Sequence, residues 1–370
     1  MWRFAAIALG LTLSTGALGW DELGLDGVAT GRTVDPSDHF VPGDAAGWHE
    51  HRLTTTPLDL GMVAAATADT LRRLRASGAP LAQPAMFSEL GVSIDDVLAT
   101  LDLVARTAFE DLGRPRQRLQ DPRWVAEHFS VLHWRPDREG AAAREIELTD
   151  AEIRLTKYVV YSVEGSRART DTYDTALYAV PSDEVDGEPG VRMQLTRMDV
   201  YAGAFAPGGV AEGLAEPIVW LTREQSNQAL LQGTVHVRFA DGTTALFNVH
   251  KNNGRAWQPG QKDQNLQDRY WYFREVDGIL GLEAIRLRPQ AAVAGDVFNV
   301  GLGKLVAIEW PAPEGPELRL VVLADTGGAF QPNLFQLDYL AGTFPSAEAY
   351  AAWSRGTPTR VAASILVRRP

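Results

Sequence analysis

Short runs of β-branched and aromatic residues, separated by turn residues, fill the chain from about residue 150 to its C-terminus. Runs such as "KYVVYSV", "TVHVRF", "TALFNVH" and "LRLVVLA" have the length and composition of β-strands. Asp241-Gly242 between two of these runs is a strong hairpin signal, because both residues tolerate the positive φ angles of a tight turn. The pattern predicts one or two β-barrels over this part of the chain.

Helical periodicity lies before these runs. In "VSIDDVLATLDLVARTAFEDLG" the apolar residues recur at helical spacing, Ser93 stands where an N-cap is needed, and Gly113 follows the last turn. "DPRWVAEHF" starts with Asp121 as a cap and a proline at the first helical position. The sequence therefore predicts a mainly β fold with an N-terminal helical segment over residues 57–150.

The N-terminus has the pattern of a secretory signal peptide over residues 1–19. Arg3 precedes an apolar stretch, and small residues at Ala17 and Gly19 suit signal peptidase. The alternative is an uncleaved membrane anchor, although the stretch is shorter than the roughly 20 residues of a spanning helix. Residues 20–56, rich in Gly, Asp and Pro, are predicted to be a poorly structured lead-in.

Composition excludes several kinds of chemistry. The 370 residues contain no cysteine, so an exported form has neither disulfides nor thiolate ligands, and no cysteine could carry a lipid. The seven histidines form no HExxH pair, and no GxSxG elbow or complete Walker loop is present. A net charge of -12 disfavours general nucleic-acid binding. We expect neither a metal ion nor a cofactor.

Three aspartates stand where apolar runs end or are interrupted. Asp296 lies in "AVAGDVFNVGLGKLVAI", Asp325 in "ADTGGAF" and Asp338 in "FQLDYLAG". Asp296 and Asp325 could each be a plain turn residue. Asp338, between a leucine and a tyrosine, is harder to explain as structure alone, because burying a carboxylate without a purpose is costly.

These segments resemble the MltA-type membrane-bound lytic murein transglycosylases. That family has an aspartate before an I-P-L-G turn, then A-D-T-G-G-A-I, then R-I-D-[LVI]-Y-x-G. Upstream, "TKYVVYSVEGSRARTDTYDTALYAVP" is similar to its T-G-Y-Y-E-P…G-S-R…P-L-Y-x-x-P segment, "LQGTVHVRFADG" to Q-G-S-G-x-V-x-L-x-D-G, and "NNGRAW" to N-G-x-x-Y. The order of the segments is the family's, and the resemblance covers roughly residues 120–370.

The resemblance implies a fold and an activity. The fold is a double-psi β-barrel, called a 3D domain after its three aspartates, over residues 259–370, with an MltA-like, second β-barrel-like domain over 151–258. The activity is cleavage of the MurNAc–GlcNAc bond of peptidoglycan with formation of 1,6-anhydro-MurNAc ends. The partners are then peptidoglycan glycan strands and possible cell-wall machinery, and the location is the periplasm, possibly at the outer membrane.

The resemblance also assigns roles to residues. Asp338 is the acid and base, while Asp325 and Asp296 hold and tune the site. Two neighbouring carboxylates in a partly dry site raise the pKa of one of them, which a neutral-pH acid needs. The candidate substrate-binding residues are Gln232, Gly233, Tyr158, Asn253, Trp257, Gly327 and Gly328.

Departures from the family pattern leave other functions open. Lys157 stands where the family has glycine, the Glu-Pro that follows the tyrosines is replaced, and Val235 replaces the second glycine of Q-G-S-G. The alternatives to a transglycosylase are a non-catalytic peptidoglycan- or polysaccharide-binding relative and a cell-wall glycoside hydrolase.

Overall fold

The computed structural model describes residues 36–370 except 84, 256–260, 262 and 327–332. The chain folds as two compact units. Among the described residues, the barrel unit contains 36–158, 280–342 and 351–370, and the central unit contains 159–279 and 343–350.

The secondary structure elements are numbered in chain order. The strands are β1 (Phe40–Gly43), β2 (Arg52–Leu53), β3 (Phe129–Trp134), β4 (Ile153–Glu164), β5 (Thr175–Tyr178), β6 (Pro217–Leu221), β7 (Thr234–Arg238), β8 (Thr244–Asn252), β9 (Trp271–Val276), β10 (Ala292–Ala294), β11 (Leu305–Trp310), β12 (Glu317–Asp325), β13 (Gln336–Phe344) and β14 (Arg360–Arg368). The helices are α1 (Pro36–His39), α2 (Pro57–Ser77), α3 (Ile94–Glu110), α4 (Pro122–His128), α5 (Arg138–Ala142), α6 (Arg197–Tyr201), α7 (Arg223–Gln232) and α8 (Ala347–Ser354).

Six strands of the barrel unit close into a ring. Their order is β14–β11–β12–β10–β13–β4, and the first residues of β4 pair back onto β14. The sheet is mixed, because β10 runs parallel to β12 and antiparallel to β13. The side chains from Leu320 to Ala324 are all fully buried, as expected for a strand with both faces covered.

Two long helices cover part of this ring. α2 packs against β12, α3 packs against β14, and the two helices pack on each other. They approach closely at Gly61, where an added Cβ would lie 2.4 Å from the Cβ of Ala108. The start of α3 is fixed by a capping box between Ser93 and Asp96, and α4 starts at Asp121, as predicted.

The lead-in differs from its prediction over the residues that the structure describes. β1 pairs with β3, and β2 runs parallel to the start of β12. Phe40 is fully buried and Leu53 nearly so. The sequence analysis missed these strands because their order comes from pairing with distant strands rather than from local pattern. The predicted signal peptide lies outside the described residues.

The central unit contains a three-stranded meander, a separate two-stranded sheet and helices. β7, β8 and β9 form an antiparallel meander, the second half of β4 runs parallel to β7, and β5 pairs with β6. The predicted hairpin joins β7 to β8, and Gly242 has a φ of 86°. Phe247, Tyr270, Tyr272 and Phe273 belong to the core.

The compact units do not follow the predicted boundaries at 151 and 259. The helices α2 and α3 belong to the same unit as β10–β12 and β14, because they pack on those strands. The assignment of residues 151–258 to an MltA-like domain and of residues 259–370 to a 3D-type barrel stays a prediction. Within the described ranges, no helix is long and apolar enough to cross a membrane.

Candidate active site

Asp325 and Asp338 lie on either side of one short strand. Ala294 of β10 pairs with Asp325 of β12 on one side and with Asp338 of β13 on the other. Residues directly opposite each other on neighbouring strands point to the same face of a sheet. The register of β12 shifts by one residue at this point, so Ala324 forms a bulge that turns Asp325 toward the face of Asp338.

The carboxyl group of Asp325 is held by several donors. Its Oδ1 accepts the backbone N–H of Thr326 at 2.9 Å, and its Oδ2 accepts the hydroxyl of Tyr158 at 3.4 Å. The backbone passes close by at Gly281, where an added Cβ would lie 3.0 Å from the Asp325 Cγ. Asp325 is therefore fixed in place.

The carboxyl group of Asp338 has fewer hydrogen-bond partners among the described residues than that of Asp325. The Thr156 hydroxyl, which donates to the Leu337 carbonyl at 3.3 Å, lies close enough to favour the ionised form of Asp338. Its Oδ1 is buried and has no hydrogen-bond partner among the described residues. Such an oxygen is costly to leave unpaired.

One face of β4 supplies the surroundings of both carboxyls. Arg154, Thr156 and Tyr158 alternate with buried Ile153 and Leu155, so they share a face. The charge of Arg154 acts on Asp338, and Tyr158 bonds Asp325. The sequence analysis missed Arg154 and Thr156, although the alternation in "IRLTKY" is the signal that could have identified them.

Lys157 also contributes charge. Its position between Thr156 and Tyr158 puts it on the opposite face of the strand, where its Nζ donates to the Pro358 carbonyl. Burial lowers the pKa of Lys157 to about 8, and Asp338 opposes that shift. Lys157 therefore stabilises the ionised form of Asp338.

Both carboxyls titrate near neutrality. Burial raises the pKa of Asp338 to about 7, against the opposing effects of Thr156, Arg154 and Lys157. Burial also raises the pKa of Asp325 to about 7, and the negative charge of Asp338 adds to this rise. A carboxyl with a pKa near 7 can both donate and accept a proton at neutral pH, as acid and base catalysis requires.

The raised pKa values predict a loss of stability as pH rises. The folded pKa of each carboxyl lies above its unfolded value of about 3.9. The folded state therefore holds more protons between about pH 4 and pH 7, and stability falls through that range. Asp325→Asn mimics the protonated form. We expect its unfolding free energy, relative to that of the wild type, to rise by about 2.5 kcal/mol between pH 5 and pH 8, because the wild type loses stability over that range.

Urea unfolding of both proteins at the two pH values checks this prediction. Comparing variant and wild type at the same pH cancels the contributions of other titrating groups to stability. One such group is His250, whose pKa burial lowers to about 4, so that its contribution to stability rises with pH. Equal differences between variant and wild type at pH 5 and pH 8 would contradict a raised pKa at Asp325.

Asp296 has a different environment from the pair. It is fully buried after the end of β10. Its Oδ1 accepts the backbone N–H groups of Phe298 and Asn299, and its Oδ2 accepts the Asn299 side-chain amide and the Asn333 backbone N–H. Burial raises its pKa, against these hydrogen bonds. With four N–H donors around it, Asp296 joins two loops and has no free oxygen for a substrate.

Comparison with known proteins identifies the fold. Neither a protein-family model nor a curated protein matches the chain. Solved structures do. A membrane-bound lytic murein transglycosylase from Agrobacterium tumefaciens aligns with a TM-score of 0.60 and 16% identity over 90% of this chain and 98% of that chain. MltA from Neisseria gonorrhoeae aligns with a TM-score of 0.59 and 14% identity over 92% and 97%. E. coli MltA with bound chitohexaose aligns with a TM-score of 0.53 and 17% identity over 83% and 90%. The chain has the MltA fold.

Gln232, Gly233 and Asn253, three of the candidate substrate residues, lie in the central unit. The Oε1 of Gln232 accepts the N–H of Val159 at 3.3 Å, and Gly233 ends α7 with a φ of 78°. Asn253 is buried. Its side chain donates to the carbonyls of Leu195 and Asp268 and accepts the N–H of Tyr270. These bonds tie Asn253 to its neighbouring loops, and its contact with a substrate stays a prediction.

Among the candidate substrate residues that the structure describes, Tyr158 is the one that contacts the aspartate pair. Trp257, Gly327 and Gly328 lie outside the described residues. Among the residues that the structure does describe, no group of three or more His, Cys, Asp or Glu side chains is arranged to hold a metal ion.

Proposed function

We propose that this chain is a peptidoglycan lytic transglycosylase, an enzyme that cleaves the MurNAc–GlcNAc bond without water. The observation that carries the proposal is the pair Asp325 and Asp338, which flanks one residue of β10 and titrates near pH 7. The MltA fold that presents the pair supports the same function, because the aligned protein from A. tumefaciens is named a lytic murein transglycosylase.

Asp338 acts as acid and then as base. Its proton passes to the glycosidic oxygen that leaves with GlcNAc as the bond from C1 of MurNAc breaks. The carboxylate so formed takes the proton of the MurNAc O6 hydroxyl, while O6 forms a bond to C1. Asp338 ends in its starting state, and the product carries a 1,6-anhydro ring. One carboxyl suffices because no water has to be activated.

The neighbouring side chains adjust this chemistry in opposite directions. Burial keeps Asp338 protonated near neutral pH, so that it can serve as the acid. Arg154 favours the ionised form that appears after the first proton transfer. Tyr158 and Thr326 donate hydrogen bonds to Asp325, so Asp325 can stay charged beside a protonated Asp338.

The proposal also includes a double-psi barrel and export to the periplasm. The closed ring with β10 parallel to β12 supports a double-psi barrel of the 3D type. The N-terminal pattern at Arg3 and Gly19 supports export to the periplasm. The binding partner is the glycan strand of peptidoglycan, and no cofactor is required.

The mass of the products tests the proposal. Digestion of purified peptidoglycan should release muropeptides with 1,6-anhydro ends, about 18 Da lighter than hydrolysed ones, because no water enters the product. Chelators should leave the rate unchanged. Reducing-end products that incorporate heavy oxygen from labelled water would show a hydrolase instead.

A non-catalytic binding protein is the second candidate. It is favoured by Lys157 and Val235, which replace family glycines, and by the replaced Glu-Pro. If the wild-type protein binds glycan and releases no soluble product, the binding protein is the correct assignment.

A further inference from the structure

A polar cavity of about 370 Å³ opens in the barrel unit, outside the candidate active site. It lies where the turn between β11 and β12 meets the loop that follows α8. Its volume falls within the range of roughly 300–1,000 Å³ typical of small-ligand sites. The residues that form its walls include Arg52, Gln290, Trp310, Glu317, Arg319 and Trp353.

A buried glutamate organises the charged wall of this cavity. Glu317 is 6% exposed. It accepts hydrogen bonds from Arg52 Nη2 at 2.5 Å and from Arg319 Nη2 at 2.8 Å, and the Thr54 hydroxyl lies 3.3 Å from it. Because Glu317 orients both guanidinium groups, their remaining N–H donors are fixed before a ligand arrives, which lowers the entropy cost of binding.

The charges around the cavity balance. Arg52 and Arg319 are matched by Glu317 and by Glu314, whose carboxylate lies 3.6 Å from Arg52. A site with two positive and two negative groups offers many hydrogen bonds but little net attraction for an ion. This balance favours a neutral polar ligand over a phosphate, a carboxylate or a cation.

Aromatic rings complete the walls. The guanidinium of Arg319 stacks on Trp310 at 3.6 Å, and Trp310 packs on Tyr339 with ring centroids 5.3 Å apart. Trp353, near the end of α8, is only partly buried and borders the cavity. Rigid aromatic surfaces beside polar groups suit a ligand with one apolar and one polar face.

We propose that this cavity binds a neutral saccharide unit, an N-acetylhexosamine of a glycan chain, with Trp353 as its stacking surface. The inference rests on the proposed function, since it assigns a further sugar-binding site for the same class of polymer. The loop beside the cavity also contacts β4, the strand that borders the candidate active site: Thr357 borders the cavity, and the next residue, Pro358, accepts the hydrogen bond of Lys157.

Fluorine NMR of the full chain tests the site directly. The protein carries 5-fluorotryptophan and the substitution Asp338→Asn, so that the probe, tetra-N-acetylchitotetraose, is not consumed. The resonance that disappears in Trp353→Phe belongs to Trp353. We expect that resonance to shift saturably with the probe. The resonance of Trp124, a partly buried tryptophan of α4 outside the cavity, should stay in place.

Affinity for the polymer gives the second measurement. Trp353→Ala should weaken sedimentation with insoluble peptidoglycan by about tenfold, as expected for loss of a central aromatic contact. Trp353→Phe should restore most of it, and Trp124→Ala is the matched control. Equal loss in both alanine variants would contradict a specific contact at Trp353.

The outcomes separate this inference from the proposed function. A Trp353 resonance that does not move at saturating probe overturns the saccharide site, even if the wild type forms 1,6-anhydro products. If the Trp353 resonance shifts saturably but the wild type forms no 1,6-anhydro products, the saccharide site is supported and the proposed enzyme function is wrong. A shift caused by the acidic dipeptide L-Ala-D-Glu and not by the oligosaccharide would also overturn the assignment.

Discussion

Asp338→Asn is expected to lower peptidoglycan turnover by about 10²–10⁴-fold while the protein still binds glycan. Asparagine keeps the size of the side chain but can neither donate nor accept the proton, and general acid–base catalysis is typically worth about that factor. Because Asp338 Oδ1 has no hydrogen-bond partner among the described residues, the substitution breaks few native contacts. The rate of 1,6-anhydro product release and the retention on insoluble peptidoglycan are the two measurements.

Asp325→Asn is the matched comparison. It removes a neighbouring negative charge and should retain more activity than Asp338→Asn. The pKa of Asp338 should fall when that charge is lost, so the pH optimum should move to lower pH. An Asp338→Asn protein that turns over like the wild type would show that the acid has been assigned to the wrong residue.

Asp296→Asn is expected to destabilise the folded protein by about 3 kcal/mol. The Asp296 carboxylate accepts four hydrogen bonds, two at each oxygen. An asparagine in either orientation places its NH₂ group against two N–H donors, and an unsatisfied buried donor costs about 1–3 kcal/mol. Urea unfolding at pH 7 measures the loss.

Asp121→Asn is the control for this prediction. Asp121 caps α4 by accepting the N–H of Arg123 at an exposed position, and asparagine is an equally good N-cap. Its effect should stay within about 0.5 kcal/mol. A loss below about 1 kcal/mol for Asp296→Asn would mean that Asp296 is protonated in the folded state, because an acid OH could then be replaced by an amide with little change.

Several features of the fold could be predicted because their signals are local. Ser93 and Asp121 start their helices through contacts within three residues. Asp241-Gly242 turns between neighbouring strands for the same reason. The motif around Asp325 placed that residue at the end of a buried strand, where the structure has it.

The arrangement of the site could not be predicted because it depends on pairing between distant parts of the chain. Ala294 lies between Asp325 and Asp338 only after β10, β12 and β13 associate in one register. Arg154 and Thr156 reach Asp338 from a strand that precedes it by more than 180 residues in the chain.

The sequence by itself determined which residue types the site has, namely three aspartates at the ends or interruptions of apolar runs, and where α3 and α4 begin. Only the tertiary structure decided that Asp296 is saturated by four hydrogen bonds while Asp338 keeps one oxygen unpaired among the described residues. The physical reason is that burial and distant neighbours, such as Asn333 at Asp296 and Arg154 at Asp338, set a carboxyl group's pKa and complete its hydrogen bonds, and the sequence around each aspartate does not show them.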